Sequence, residues 1–173
     1  MRITASAVGF ICCLSLTASG EPSERQSVVI GAWSISTTYH ADKFISCAMS
    51  RSAQDELEIT FLRNHDGLFL TLDSPKWTLE RGKAYTVRLA AGAHTVEAKA
   101  LAERKGVTIA FADGSFKERL KTANVLEVKG EGTTLRVPLD KSATGFERLE
   151  LCFGKNSRGS TETNPFVAPS RKP

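Results

Sequence analysis

The chain has 173 residues, of which 41% are hydrophobic and 24% are charged, and its formal net charge is +4. This length suits one domain with a hydrophobic core of its own. The 23 basic and 19 acidic residues are interspersed along the chain. Nucleic-acid-binding proteins concentrate basic residues on one surface, so the composition argues against a nucleic-acid partner.

The first 20 residues have the layout of a secretory signal peptide. Arg2 precedes an apolar run over residues 3–16, and Ala18 and Gly20 are the small residues of a cleavage site after Gly20. The run is shorter than the roughly 20 residues that a membrane-spanning helix needs. A lipid anchor on the adjacent cysteines is the weaker alternative, because Ile11 stands where a lipobox has a small residue.

Export and composition divide the chain into four parts. Residues 1–20 form the signal peptide, and residues 21–27 are expected to be an exposed polar lead-in. Residues 28–154 form the folded domain, and residues 155–173 have few apolar side chains and are expected to be disordered. No segment after the leader is apolar enough to cross a membrane. We therefore expect a soluble protein without a transmembrane segment, located in the periplasm or secreted.

Cleavage of the leader leaves two cysteines, Cys47 and Cys152. In an exported protein, two remaining cysteines most simply form one disulfide. Such a bridge closes a loop of roughly 100 residues and, in the chain-entropy model, stabilises the fold by up to about 4.7 kcal/mol. The alternative is two buried free thiols.

Alternating apolar residues predict a strand from Val28 and another around Cys47. The residues that share the inward faces of these strands are Val29, Gly31, Trp33 and Ile35, and then Ile45, Cys47 and Met49. Cys47 therefore points towards the core, as a disulfide to the end of the chain requires.

The clearest supersecondary signal is a β-hairpin over residues 57–72. Its inward positions are Leu57, Ile59 and Phe61, followed by Leu68, Leu70 and Leu72. Residues 64–67 between them contain the turn pair Asp66-Gly67. Further alternating segments begin near Tyr85, Val96, Val107, Leu126 and Leu135. The pattern predicts a mainly β fold, an antiparallel β-sandwich of about 8–10 strands with two short helices.

Two helices are predicted from capping boxes, in which a hydroxyl and a carboxylate three residues apart satisfy the first turn. Ser115 with Glu118 begins the first helix, and Thr144 with Glu147 begins the second. The second carries an apolar stripe, and Gly154 is expected to end it. The stripe consists of Phe146, Leu149 and Phe153.

The order of these parts resembles the invasion-associated locus B family of exported alphaproteobacterial proteins. The residues that carry the resemblance are Trp33, residues 116–128, Val137-Pro138-Leu139, Gly145-Phe146 and Leu149. The resemblance implies a periplasmic or surface β-sandwich protein associated with host-cell entry or envelope functions.

The sequence contains few residues that could form a catalytic or metal site. The histidines, His40, His65 and His94, do not have zinc-ligand spacing on one helix or strand. No serine lies in a G-x-S-x-G motif, and there is no glycine-rich phosphate loop. Both remaining cysteines are explained by a disulfide. We therefore expect no enzymatic activity, no metal and no cofactor, with an unrecognised hydrolase as a lesser alternative.

Binding is the remaining class of function, and four residues are candidates for it. Trp77 follows a proline in a broken segment, and Phe69 lies on the polar face of its strand. Exposed aromatic side chains often mark partner contacts. His65 and Asp66 occupy the hairpin turn. We expect an envelope accessory or binding protein whose partner is a protein or an envelope component, or alternatively an inhibitor or immunity-type protein that blocks an enzyme through this turn.

Overall fold

The computed structural model of the protein describes residues 23–157. The predicted signal peptide and residues 158–173 of the predicted tail lie outside this part of the chain. The described part forms ten β-strands and two α-helices. The strands are β1 (Ser23–Ile30), β2 (Trp33–His40), β3 (Lys43–Ser52), β4 (Glu58–Asn64), β5 (Gly67–Asp73), β6 (Ala84–Ala91), β7 (His94–Ala102), β8 (Gly106–Ala110), β9 (Val125–Lys129) and β10 (Thr134–Pro138). The helices are α1 (Gly114–Thr122) and α2 (Ser142–Asn156), and a short 3-10 turn covers Gln54–Glu56.

All ten strands belong to one antiparallel sheet with the order β1-β2-β3-β4-β5-β8-β7-β6-β9-β10. The predicted mainly β fold with two helices is confirmed. The strands do not separate into the two sheets of a sandwich, because β5 pairs with β8 and β6 pairs with β9. These pairings join strands that are distant in sequence, so the hydrogen bonding continues from β1 to β10.

The sheet is curved, so that β2 and β3 lie close to the end of β10 although these strands are far apart in the strand order. The indole Nε1 of Trp33, on β2, donates a hydrogen bond of 2.9 Å to the carbonyl oxygen of Asp140, two residues beyond β10. Arg51, on β3, forms an ion pair of 2.6 Å with the Asp140 carboxylate. Every strand from β2 to β10 contributes buried side chains to one hydrophobic cluster. One face of the sheet therefore surrounds a single core.

The helix α2 fills the part of this core that lies under β2, β3 and β4. Its stripe residues Phe146 and Leu149 are buried. Gly145 lets the helix approach β3 closely, because a Cβ atom at this position would collide with the sulfur of Met49. The helix α1 packs against α2, β6 and β7, and the Ser142 hydroxyl donates to the carbonyl oxygen of Leu120 at 3.3 Å.

Three of the predicted inward positions, Val29, Gly31 and Ile45, are wrong, because all three are exposed. Val29 is 70% exposed because β1 and β2 are separate strands of a hairpin whose turn includes Gly31 at φ +61°. Ile45 is 43% exposed because the pairing of β2 with β3 shifts by one residue between Thr38 and Tyr39. An extra residue in one strand reverses which side chains face the core.

Both predicted helix starts are wrong as well. The cap of α1 is Asp113, whose Oδ1 accepts hydrogen bonds from the backbone N–H of Ser115 at 2.8 Å and from the Ser115 hydroxyl at 2.8 Å. These bonds lower the pKa of the Asp113 carboxyl below its ordinary value. The helix α2 begins at Ser142, so Thr144 lies inside its first turn and caps nothing.

The strand β1 and the end of α2 extend the ordered structure beyond the predicted limits of the domain. β1 begins at Ser23, within the predicted lead-in, because its residues pair with β2. The helix α2 continues through Gly154 to Asn156. The last turn is held because the Asn156 side-chain amide donates to the carbonyl oxygen of Cys152 at 2.8 Å and accepts from the Tyr39 hydroxyl at 2.8 Å. Within the described residues, no helix is long and apolar enough to span a membrane.

Candidate functional site

The predicted disulfide between Cys47 and Cys152 is confirmed. The two Cα atoms are 6.2 Å apart, and the bridge joins β3 to α2 across a sequence separation of 105. Cys47 is completely buried, and the Thr37 hydroxyl lies 3.3 Å from the sulfur of Cys152. Cys152 is half-buried, and a bridge between a strand and the helix that covers it stabilises the fold and offers no reactive thiol.

The turn that carries His65 and Asp66 lies at the same end of the sheet as the end of α2. The Asn64 side-chain oxygen accepts hydrogen bonds from the backbone N–H of Asp66 at 2.9 Å and of Gly67 at 3.1 Å, which fixes the turn. The His65 ring lies 5.4 Å from the ring of Phe153. His65 and Asp66 are exposed, so the turn presents an ordered tip.

Phe69 lies on the outer face of the sheet. It is opposite Leu62 on β4 and Ala110 on β8, and it is half-buried between them. The structure therefore does not bring together the four predicted binding residues. Phe69 is on the outer face, His65 and Asp66 are beside the end of α2, and Trp77 is in the segment between β5 and β6.

Trp77 is half-buried and packs against the core from the segment that joins β5 to β6. Its backbone N–H donates to the carbonyl oxygen of Ser74 at 3.1 Å. On either side of Trp77, the backbone N–H of Ser74 donates to the carbonyl oxygen of Lys105 at 2.8 Å, and the backbone N–H of Leu79 donates to the carbonyl oxygen of Arg104 at 3.1 Å. These bonds fix the main chain of the segment against the connection between β7 and β8.

Two clefts open on either side of Trp77. One, the apolar cleft, has a volume of about 670 Å³ and is lined mainly by aromatic and aliphatic side chains from β6, β9, β10 and the Trp77 segment. Its main apolar residues are Trp77, Leu79, Tyr85, Val87, Val128 and Leu135. The other, the edge cleft, has a volume of about 760 Å³ and lies between β10 and residues 51–57. Its walls include Arg51, Leu57, Trp77, Thr134, Arg136 and Pro138.

The apolar cleft exists because the helices cover only part of the core face. The helix α2 contacts β2, β3 and β4, and α1 contacts β6 and β7. The core-facing residues Tyr85 and Leu135 remain half-buried. Polar side chains lie at the rim, where the Lys83 ammonium is 5.5 Å from the centre of the Tyr85 ring and 3.6 Å from the Glu80 carboxylate.

Arg51 is the most constrained charged group at the edge cleft. Its guanidinium lies 5.2 Å from the centre of the Trp33 ring and donates to the Asp140 carboxylate at 2.6 Å. This hydrogen bond holds the pKa of Asp140 below its ordinary value. The Nε atom of Arg51 is buried and has no acceptor among the described residues. A buried donor without an acceptor is costly, so the position of this guanidinium leaves one hydrogen bond unmade.

Sequence reasoning identified Trp77 as a candidate but not the residues that surround it. Tyr85, Val128 and Leu135 have the alternation of ordinary core residues, and their partial exposure depends on where α1 and α2 end. Arg51 lies near the end of β3 and is flanked by serines, so its sequence carries no signal of a buried guanidinium. Among the described residues, no three histidine, cysteine, aspartate or glutamate side chains are placed to hold a metal ion.

Comparisons with known proteins find no relative of this chain. No protein-family model, no curated protein and no solved structure matches the chain.

Proposed function

We propose that the protein is an exported, non-enzymatic binding protein of the cell envelope, and that it holds an apolar chain in the apolar cleft. The observation that carries this proposal is the cleft itself, about 670 Å³ of open space lined by core-facing side chains, of which Tyr85 and Leu135 are only half-buried. Ligand sites in proteins are typically apolar cavities with a few polar groups.

The lining of the cleft favours an amphipathic ligand. Trp77, Tyr85 and Leu135 offer apolar surface inside the cleft, whereas Lys83 and Glu131 stand at its rim and are exposed. An acyl chain would bury its methylene groups against the apolar wall, at about 0.8 kcal/mol for each buried group. Its polar head would remain at the rim. Fatty acids and lysolipids are envelope components with this chemistry.

Export is part of the proposal. The signal-peptide pattern of residues 1–20 and the disulfide between Cys47 and Cys152 both favour a compartment outside the reducing cytosol, either the periplasm or the exterior. The resemblance to the invasion-associated locus B family supports an envelope or host-facing role for such a protein.

Calorimetric titration of the mature protein with palmitate tests the apolar-cleft proposal. We expect saturable binding to the wild-type protein and a loss of at least about tenfold in affinity for Leu135→Arg, since a charged side chain in the cleft would have to be desolvated when the chain binds. Leu101→Arg is the matched control, because Leu101 is 49% exposed and does not line the cleft. Equal binding by both variants, or no binding by the wild-type protein, would contradict the proposal.

The inhibitor alternative has one supporting observation, the fixed and exposed tip formed by His65 and Asp66. An ordered turn loses little conformational entropy when it enters an enzyme's cleft. Pull-down from periplasmic extract tests it. One enzyme recovered in stoichiometric amount by the wild-type protein, and not by a His65→Ala/Asp66→Ala variant, would support inhibition. The absence of such an enzyme would exclude it.

A further inference from the structure

We infer that a groove between β1 and α2, the helix groove, is a second binding site, which takes an extended acidic peptide segment of a partner protein as an added strand beside β1. The groove has a volume of about 620 Å³, and β2 contributes to its lining together with β1 and α2. It shares no lining residue with the apolar cleft, so this site does not depend on the proposed function. Exposed apolar side chains, two unpaired cations and the free main chain of β1 support it.

The helix groove has exposed apolar side chains on two sides. The helix α2 packs against β2, β3 and β4, and β1 lies one strand beyond them in the sheet. Val28 on β1 is 55% exposed, although it is directly opposite the buried Ile35 on β2 and therefore lies on the same face of the sheet. Leu151 on α2 is 63% exposed. A partner that covers Val28 and Leu151 would remove this apolar surface from water.

The charged residues of the groove are both basic. Arg148 and Lys155, from the exposed side of α2, line it together, and no acidic residue does. Neither cation has an ion pair or a hydrogen bond with any residue of the described chain. Glu147 and Glu150 are the acidic residues in this part of α2, but they do not line the groove, and Glu150 is paired with Arg63 at 3.3 Å. The groove therefore presents positive charge that the fold does not neutralise.

The neutral polar side chains of the groove are already bonded to one another. The Tyr39 hydroxyl donates to the Asn156 side-chain oxygen at 2.8 Å, and the Asn156 amide donates to the carbonyl oxygen of Cys152 at 2.8 Å. The Thr37 hydroxyl lies 3.3 Å from the sulfur of Cys152. The two cations are the polar groups that remain for a partner. A carboxylate is the matching group, because hydrogen bonds between charged groups are stronger than neutral ones.

The main chain of β1 has unused hydrogen-bonding groups on the side away from β2. The strand is the first in the sheet and pairs with β2 alone. A two-residue turn, Gly31-Ala32, joins the two strands, with Gly31 at φ +61° and Ile30 opposite Trp33. The residues that flank such a turn form a hydrogen-bonded pair, and bonded and non-bonded pairs alternate from there. The N–H and C=O groups of Val29 therefore point away from β2, and no residue within 23–157 bonds to them.

Charge and strand geometry favour an acidic peptide over other occupants of this edge. A second copy of the chain would bring its own Arg148 and Lys155 to a symmetric interface, which would then hold four cations. The pairing of β1 with β2 also shifts between Arg25 and Val28, and such a bulge discourages the joining of two whole sheets at their edges. Residues 158–173 contain three basic residues and one acidic residue, so they do not complement the groove.

A short extended segment satisfies the three features together. Its main chain would bond to Val29, because peptides that add a strand to a sheet edge are a recurrent mode of recognition. Its side chains on the core-facing side would lie over the groove. An apolar side chain would cover Val28 and Leu151, and an aspartate or glutamate would pair with Arg148 or Lys155.

An array of random-sequence peptides, probed with the purified mature protein, tests the charge preference. We expect the enriched peptides to carry aspartate or glutamate. Arg148→Gln/Lys155→Gln should weaken binding of an enriched peptide by about threefold to tenfold, as expected for two exposed ion pairs. Arg88→Gln/Lys129→Gln is the matched control, because it removes two exposed cations that do not line the groove, and it should leave binding unchanged. Enrichment without acidic residues, or equal losses in the two double variants, would overturn the inference.

Hydrogen exchange and one pair of substitutions test the main-chain pairing. An enriched peptide should slow exchange at the Val29 amide of the wild-type protein, because this N–H becomes bonded to it. Val29→Pro removes the N–H and should abolish peptide binding, whereas Val29→Ala keeps it and should retain most of the binding. Thermal unfolding of both variants is the folding control. Unchanged exchange at Val29, or equal peptide binding by the two folded variants, would contradict strand addition.

Other occupants of the groove would give different results. Slow exchange at the Val29 amide without peptide, together with a dimeric mass, would assign the edge to a second copy. Slow exchange that is lost on removal of residues 158–173 would assign it to that segment. Binding to vesicles of anionic phospholipid that requires Arg148 and Lys155, with no acidic preference in the array, would assign the groove to a membrane surface. Each of these results would overturn the inference.

Discussion

The two halves of the sheet differ in how their core faces are covered. Under β2, β3 and β4, the helix α2 buries Trp33, Met49 and Phe61 completely. Under β6, β9 and β10, Tyr85 and Leu135 stay half-buried beside the two clefts. The covered half has the close packing that gives a domain its stability. The open half leaves part of its apolar surface accessible, and we propose that part as the binding site.

The covered half is fixed by contacts that the open half lacks. The disulfide ties α2 to β3, and Gly145 brings the helix against Met49. In the open half, the segment around Trp77 is held mainly by backbone hydrogen bonds from Ser74 and Leu79. Substitutions in the covered half should therefore change stability, and substitutions in the open half should change binding.

The largest effect is expected from removal of the disulfide. Replacing Cys47 and Cys152 with alanine should lower the free energy of unfolding by about 2–5 kcal/mol, because the bridge restricts the unfolded chain. Urea denaturation of the double variant and of the wild-type protein measures the difference. Palmitate affinity of the folded double variant is the control and should be unchanged. A loss below about 1 kcal/mol would show that the covered half does not depend on the bridge.

A matched pair of leucines compares the two halves directly. Leu149→Ala, in the covered half, should cost about 2–5 kcal/mol because it leaves a cavity in a fully buried site. Leu135→Ala, in the open half, should cost about 1 kcal/mol or less, since its side chain is already partly in solvent. Denaturation of both variants gives the two values, and equal losses would contradict the distinction between the halves.

A glycine substitution tests the close approach of α2 to β3. Gly145→Ala should destabilise by about 1–3 kcal/mol, because its methyl group must displace the Met49 side chain. Gly114→Ala is the control within a helix, since nothing lies near the position of its added Cβ atom. Thermal unfolding of the two variants should show a lower midpoint for the first only. A neutral Gly145→Ala would mean that the Met49 side chain or α2 moves aside at little cost.

The smallest effect is expected on the outer face, where Asp73 and Glu58 are directly opposite each other on β5 and β4. Burial and then the Glu58 charge raise the pKa of Asp73 above its ordinary value of 3.8. The native state therefore retains this proton more strongly than the unfolded chain. The associated stability is fully present below pH 3.8 and is lost as the pH rises through the higher native pKa.

Asp73→Asn removes this pH dependence. The variant should be more stable than the wild-type protein at neutral pH by about 0.2–1 kcal/mol, the range for a like-charge pair across two strands. This difference in the free energy of unfolding should shrink as the pH falls below 3.8, because Asp73 is then protonated in both states. Denaturation at several pH values measures the change, with Glu131→Gln in the β9–β10 turn as a control for loss of an acidic charge. A difference that does not vary with pH would contradict the assignment.

Local parts of the fold were predictable from sequence because their signals are local. The hairpin of β4 and β5 follows from alternation on both sides of a turn pair, and its inward leucines are buried. The disulfide was predicted from the two cysteines that lie outside the predicted signal peptide and from the inward phase of Cys47. In both cases the alternation of apolar residues shows directly which side chains of each segment face the core.

The rest depends on contacts between distant residues. Alternation shows which face of a strand is buried, but it does not show that β5 pairs with β8 or that β6 pairs with β9. The shift at Ile45 depends on how β3 aligns with β2. The clefts beside Trp77 depend on where the helices stop covering the core. Such features are properties of the assembled chain, so its periodicity does not reveal them.

The central claim is that an apolar chain binds in the open half, and the two tryptophans test it most directly. Trp77 lines the apolar cleft, whereas Trp33 is completely buried in the covered half. Titration of the protein with a brominated fatty acid should quench the emission of Trp77 in a saturable manner. The remaining emission of Trp77→Phe, which comes from Trp33, should not change. Quenching that persists in Trp77→Phe, or no quenching in the wild-type protein, would contradict the account.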